Sequence, residues 1–449
     1  MIHRFLGRLR RRLGDAQAWR SARRDWDVAP YDPAPQALDD ARGTLERILT
    51  ENILPFWYPR TIDAENGGFR INHDERGEWV GQGCNRHLVS QSRTAWFFAR
   101  LTNSAHRSDG HSAAARHGFE FLRDRLWDEE FGGFFWEVDG TGRTPIKLEK
   151  HLYGQSFGLY ALAEYAIATQ DAQAVSMART LYGLLERHAH DGDNGGYREF
   201  LHRDWRPAEP SAATYMEDRA DLKQFNTHLH VLEAFTRYYH LVQEPEVRNR
   251  LTELILIMSN AVVRKPITGC RNAHDDDWTP QDPATSRVTY GHDLENIWLL
   301  IEACEAVGLP NALLCDLYET LFYNAWRFGF DHRHGGVFYQ GPPGKFAAAR
   351  QKIWWVQAES LLCALHMHRL TRKKAYFRCF TKTLEWTTRY QIDWNLGEWH
   401  RRISPTGVSS GKKSGDEAGA WKAPYHNGRA IIRCLELVSE EQARSRDRM

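Results

Sequence analysis

Two histidines stand in short segments crowded with polar and aromatic side chains: His292 in Tyr290-Gly291-His292-Asp293-Leu294-Glu295, and His426 in Trp421-Lys422-Ala423-Pro424-Tyr425-His426-Asn427. An imidazole titrates near 6.5 when unperturbed, so at neutral pH it can take a proton and also return one. A pair of them facing one carbon could abstract from one side and deliver to the other. Glu295 lies three residues after His292, on the same face if the segment is helical, where a carboxylate can fix an imidazole tautomer.

Other residues are candidates for supporting roles. His228 and His230 are spaced i, i+2, so on a helix they diverge by about 200° and only one can face a cavity while the other packs between helices. Helical metal pairs use i, i+3 or i, i+4, and no His-Glu-x-x-His occurs, so no metal is expected. Arg93 sits at the head of an otherwise apolar helix, where a buried guanidinium needs either a structural carboxylate or a ligand oxygen. Tryptophan is abundant, 17 in all, and tandem Trp354-Trp355 is flanked by Lys352, Gln357 and Glu359. Flat rings beside amide and charged groups suit a ligand with apolar faces and many hydroxyls.

His292 and His426 are far apart in sequence, so only a closed or layered fold can unite them. The chain contains a repeat that could do so. Asp-x-x-x-Gly recurs at Asp63–Gly67, Asp128–Gly132, Asp191–Gly195, Asp331–Gly335 and Asp393–Gly397, with glycine intervals of 65, 63, 140 and 62 residues. The long interval is twice a single unit, which puts a degenerate sixth unit near Cys270 to Trp278. After each turn the alternation of residues suits a short strand, and between turns residues 154–168, 226–242, 292–306 and 353–370 carry apolar residues at helical spacing. Two helices and a short hairpin per unit, six times over, predict an all-α (α/α)6 barrel whose inner helices open on one functional face. Solenoid repeats are usually shorter, which favours closure.

Composition limits the ligand. Lys+Arg 59 against Asp+Glu 58 leaves no field to attract nucleic acid, and a neutral small molecule fits better. Seven scattered cysteines without Cys-x-x-Cys argue against a disulfide framework and point to a cytoplasmic protein. No apolar run is long enough for a membrane span. Residues 1–40 read as a basic extension and linker, with Ile2, Phe5, Leu6, Leu9 and Leu13 at amphipathic spacing and prolines 30, 33 and 35 interrupting helix; residues 41–440 read as the single barrel domain. No phosphate-binding glycine loop signals a nucleotide, so no cofactor is expected.

The segments Asn226-Thr227-His228-Leu229-His230-Val231-Leu232-Glu233-Ala234, Tyr290 to Glu295, Lys352 to Glu359 and Trp421 to Arg429, with Glu51 to Trp57 and the Gly67-Gly68-Phe69 turn, resemble the N-acylglucosamine 2-epimerase superfamily, and within it the cellobiose 2-epimerase branch. The resemblance spans about residues 45 to 438. It implies an (α/α)6 barrel acting at C2 of a reducing-end glucose or mannose unit, as in a β-1,4 disaccharide, in a monomer or homodimer. Carried over, His292 and His426 are the acid/base pair, His230 a third histidine at the ring oxygen, and Glu295 an orienting carboxylate. Arg93, Tyr153, Asn226, Trp355, Trp421 and Glu359 fall at sugar-binding positions. Residues 1–40, Trp79 to His87 and Gly407 to Glu417 depart from the pattern. Aldose–ketose isomerisation on the same scaffold is the alternative outcome, and glycoside hydrolysis by Glu295 and Glu359 a more distant one.

Overall fold

The computed structural model describes residues 26, 30–74, 76–264, 269–281, 286–407 and 418–447. Among the described residues, twelve helices of ten or more residues alternate between an outer and an inner ring, with a short helix at Leu54–Trp57 beside them. The outer helices are α1 (Pro35–Arg47), α3 (Asp109–Phe121), α5 (Ala172–Leu184), α7 (Pro245–Leu256), α9 (Cys315–Asn324) and α11 (Lys374–Trp386). The inner helices are α2 (Leu88–Thr102), α4 (Leu152–Thr169), α6 (Phe225–Val242), α8 (Tyr290–Val307), α10 (Trp354–Thr371) and α12 (His426–Asp447). Each inner helix packs on the next, and the ring closes where Arg100 of α2 pairs with Glu436 of α12 and Gly428 lies against Phe97. The inner helices are buried nearly all round, which is why their apolar periodicity is weak compared with α11.

The recurring Asp-x-x-x-Gly is the joint between outer and inner helix. Every outer helix ends in a π turn, after which a seven-residue excursion closes on itself in pairs such as Ile62 with Phe69 and Trp127 with Phe134. The aspartate side chain accepts the N–H groups two and three residues on, as Asp331 does from Arg333 and His334, and the glycine follows at positive φ. The remaining joint, fourth in chain order, pairs Val263 with Cys270, and arginine stands in the aspartate position. It therefore lies just before the Cys270–Trp278 stretch expected for it, and the lost aspartate is what hid it.

Five of the joints are locked to the next inner helix by that helix's fourth residue; at the sixth, Asn427, the second residue of α12, donates to Glu398 Oε1, which accepts the turn N–H of Trp399. Gln91, Gln155 and Gln357 each accept a backbone N–H and donate to the C=O of the same turn residue, Phe69, Phe134 and Val337 respectively. Gly336 shows why a side chain is excluded there: a Cβ would stand 2.6 Å from Gln357 Oε1. Lysines or arginines just before the helices bury their charges against the turn carboxylates: Lys150 with Asp128, Lys223 with Asp191, Lys352 with Asp331. Lys352 is thus a structural cation and not part of the ligand face.

The barrel begins at Pro35, ahead of the boundary expected at residue 41, because proline suits a first helical turn; at the other end α12 runs to Asp447. Tyr31 N–H donates to Arg372 C=O, and Trp26 packs on Tyr323 and Tyr376, so part of the expected linker is docked on the barrel. The amphipathic segment expected at residues 2–13 and most of the 407–417 loop lie outside the described residues. All seven cysteines are free thiols, and among the described residues no helix is long and apolar enough to cross a membrane.

Candidate active site

The lock residue and the residue two positions later point in opposite senses, and this offset builds the site. Two residues beyond Gln91, Gln155, His228, Asp293, Gln357 and Asn427 come Arg93, Phe157, His230, Glu295, Glu359 and Arg429, one from each inner helix, forming a buried layer across the barrel. His292 and His426 each immediately precede a lock residue, on α8 and α12, separated around the ring by α10. The His228/His230 alternative is settled by the same rule. His228 takes the glutamine's place, its Nε2 accepting Tyr197 N–H at 3.0 Å and its Nδ1 donating to Gln224 C=O at 2.9 Å, while His230 faces inward.

Between His292 and His426 stands the half-buried Trp355 ring, 4.7 Å from the first imidazole and 5.7 Å from the second. His426 Nδ1 donates to Glu359 Oε1 at 2.7 Å, which fixes the tautomer and leaves Nε2 with its lone pair free. Glu359 also accepts from Trp298 Nε1 and Arg429 Nη2, both at 2.8 Å. Burial pushes the His292 imidazole down to about 4, and burial together with Arg93 and Arg429 pushes His426 well down, so both are neutral at physiological pH.

Glu295 is not the partner of His292. Its Oε1 accepts from Arg429 Nη2 at 2.9 Å and lies 3.9 Å from His426 Nδ1, and among the described residues no hydrogen bond joins it to His292. The i, i+3 spacing is satisfied, but Glu295 points to the barrel axis whereas His292 stands one step nearer the mouth. The i, i+3 pair that does form is His230 Nδ1 with Glu233 Oε2, at 3.1 Å.

Arg429 organises the floor. Its guanidinium reaches Glu233, Glu295 and Glu359 together. Burial would raise all three carboxyls. Arg429, helped by bonds from His230 and Tyr425, holds Glu233 down at about 2, whereas burial and the neighbouring Glu359 push Glu295 well up. Glu295, Glu359 and His426 could present ligand atoms within 4.8 Å of one another, but Arg429 already supplies the positive charge among them, and the set is an ion-pair network.

On the other side, Arg93 Nη2 donates to Tyr153 Oη at 2.9 Å and Nη1 to Trp421 C=O at 3.0 Å, while its flat face covers Phe157 and Tyr425. Its partners are thus a phenol, a carbonyl and ring faces, and among the described residues no carboxylate pairs with it. Trp421 is 40% exposed at the rim, beside Tyr153 and Trp136. Asn226 is half-buried at the start of α6, its N–H directed to Asn272 Oδ1. Every candidate except His228, Lys352 and Gln357 therefore lies toward one end of the barrel. Reasoning from sequence assigned no role to Phe157, Glu233, Tyr425 or Arg429; the two-residue offset from the lock position would have found Phe157 and Arg429.

The chain is similar to known proteins along most of its length. The chain is 30% identical over 400 residues to a cellobiose 2-epimerase of Bacteroides fragilis, covering 88% of this chain and 98% of that one. It is 25% identical to a D-mannose isomerase of Marinomonas mediterranea, covering 89% and 98%. The solved structure of a cellobiose 2-epimerase from Spirochaeta thermophila superposes with a TM-score of 0.81 at 30% identity, over 90% of this chain and 98% of that one. The model of the N-acylglucosamine 2-epimerase family matches residues 67–428, and the chain belongs to that family.

Proposed function

We propose that the protein is a sugar 2-epimerase that inverts C2 of a reducing-end glucose or mannose unit, with a β-1,4 disaccharide as the preferred substrate. The observation that carries this reading is the pair of neutral imidazoles flanking one open tryptophan ring. In the open-chain sugar the C1 aldehyde acidifies the C2–H bond. One histidine takes that proton, the bonding pair becomes the C1=C2 double bond of an enediolate, and charge moves to O1. The other histidine takes up a proton from solvent and delivers it to the opposite face of C2, the aldehyde re-forms, and the first histidine releases its proton to solvent.

His426 is equipped for both halves, because Glu359 exposes Nε2 as a base and its negative charge supports the imidazolium that forms. Arg93, which has no carboxylate partner among the described residues, is available to the developing oxyanion. His230, held by Glu233, assists opening of the pyranose ring, and Trp355 and Trp421 offer faces for two sugar units. The chemistry uses the substrate's own carbonyl as electron sink. His292→Ala and His426→Ala should each abolish turnover in a protein with unchanged circular dichroism; appreciable activity in either variant defeats the assignment.

The similarity to a D-mannose isomerase supports a second reading, in which the enediolate is protonated at C1 and the product is a ketose. Product analysis separates the two, since an aldose epimeric at C2 and a ketose have distinct anomeric carbon signals.

A further inference from the structure

Seven residues beyond the catalytic layer, about 10 Å further along each inner helix, lies a second ring: Arg100, Glu164, Arg237, Glu302, His366 and Glu436. Its charges alternate around most of the barrel and pair across neighbours: Arg237 with Glu164, Arg100 with Glu436, His366 with Glu302. Inside this ring, at the end opposite the histidines, is a cavity of about 370 Å³. Trp96, Tyr160 and Trp298 floor it, Glu233 and Arg429 reach it from the catalytic layer, and half-exposed Ala306 stands at its rim.

The lining defines a ligand. Its guanidiniums, including Arg433 between Glu302 and Glu436, are already ion-paired, and carboxylates match them almost one for one. An anion would have to break those pairs and a cation would meet the arginines. Neutral hydroxyls can accept from a guanidinium and donate to a carboxylate without disturbing either, and the aromatic floor suits the apolar face of a pyranose. The volume is that of a small-molecule site. We propose that this second mouth is a binding site for a neutral polyhydroxylated molecule of monosaccharide size, separate from the catalytic mouth. Glu233 and Arg429 border both, so occupancy of one mouth is felt by Glu233, which holds His230, and by Arg429, which bonds the Glu359 that holds His426.

The probe is methyl β-D-glucopyranoside, whose locked ring cannot open and so cannot be turned over at C2. Ligand-observed NMR is run on wild type, on Trp355→Ala to weaken the catalytic mouth, and on Trp355→Ala combined with Ala306→Trp, which fills the second cavity from a half-exposed position. A crystal soak locates the bound glucoside. The expected result is that binding survives Trp355→Ala, is lost in the double variant, and maps to the Arg237–Glu302 side, while Ala306→Trp alone retains turnover. His240→Trp, at an exposed lining position, serves as a second filling variant should Ala306→Trp misfold. Binding lost with Trp355→Ala alone, or unchanged when the cavity is filled, overturns the site. Because the probe is not turned over, a wild type that binds it here yet epimerises no aldose would refute the proposed function and leave this site standing.

Discussion

Replacing Glu359 by glutamine tests how His426 is prepared for catalysis. The carboxylate is surrounded only by donors: His426 Nδ1 and Arg429 Nη2 on Oε1, Trp298 Nε1 on Oε2. A glutamine has one acceptor atom and one NH2, so one of these donors must face another donor. If the NH2 meets His426, the ring has to present Nδ1 as acceptor and carry its proton on Nε2, which removes the base. If it meets Trp298, the tautomer survives but the negative charge supporting the imidazolium is gone. A hydrogen bond to a charged group contributes about 1.5–3 kcal/mol, so even the milder case lowers kcat about 10- to 150-fold. KM should change little, since Glu359 lies behind the histidine. The assay is initial rates on cellobiose with circular dichroism and thermal melting as folding controls. A folded Glu359→Gln enzyme with kcat within twofold of wild type would refute the view that this carboxylate prepares the histidine.

Further predictions concern the frame and the rim. His228 occupies a glutamine's position, and burial holds its imidazole down at about 3, below the unfolded value of 6.5. The unfolded chain therefore binds this proton first as pH falls, and stability is full above pH 6.5 and lost progressively between 6.5 and 3. His228→Gln, which can still accept the Tyr197 N–H, should recover about 2 kcal/mol at pH 5 relative to wild type, read as a smaller acid-induced fall in melting temperature; equal acid sensitivity would contradict it. Gly336→Ala puts a Cβ against Gln357 Oε1 at positive φ and should destabilise by about 1–3 kcal/mol in urea, whereas a neutral effect would mean the lock is dispensable. Trp421→Ala removes an exposed stacking face but keeps the carbonyl that holds Arg93, so KM should rise about 2- to 12-fold with kcat preserved; a collapse of kcat would place Trp421 in the chemistry. Arg429→Met leaves three buried carboxyls without their cation and should cost about 3–5 kcal/mol, measured by denaturant unfolding.

The barrel was legible because its joints need particular residues. Aspartate at the turn, glycine at positive φ and an apolar run afterwards recur at a fixed interval, and only the fourth joint, with arginine where the aspartate belongs, escaped the pattern. The four helices read from periodicity agree with α4, α6, α8 and α10 within a few residues. The histidines stood out because their neighbours are polar and aromatic in segments that open inner helices. What the sequence did not reveal is who pairs with whom across the barrel. His292 and Glu295 share a helix and the right spacing, yet Glu295 is claimed by Arg429 from α12, and His426 by Glu359 from α10. Tertiary partners outcompete local ones wherever three carboxyls and one guanidinium share a dry volume. Lys352 misled for the opposite reason: a lysine beside two tryptophans resembles a ligand group, but Asp331 needs it as counter-ion.

The central claim is that two histidines exchange a C2 proton across opposite faces of an enediolate. It is tested most directly by incubating cellobiose with the enzyme in D2O and following C2 by proton NMR at early conversion. The account predicts an epimeric aldose carrying deuterium at C2 while recovered substrate still carries protium there, because the proton delivered comes from the histidine that did not remove one. Epimer that retains protium at C2, or a ketose in its place, would contradict it.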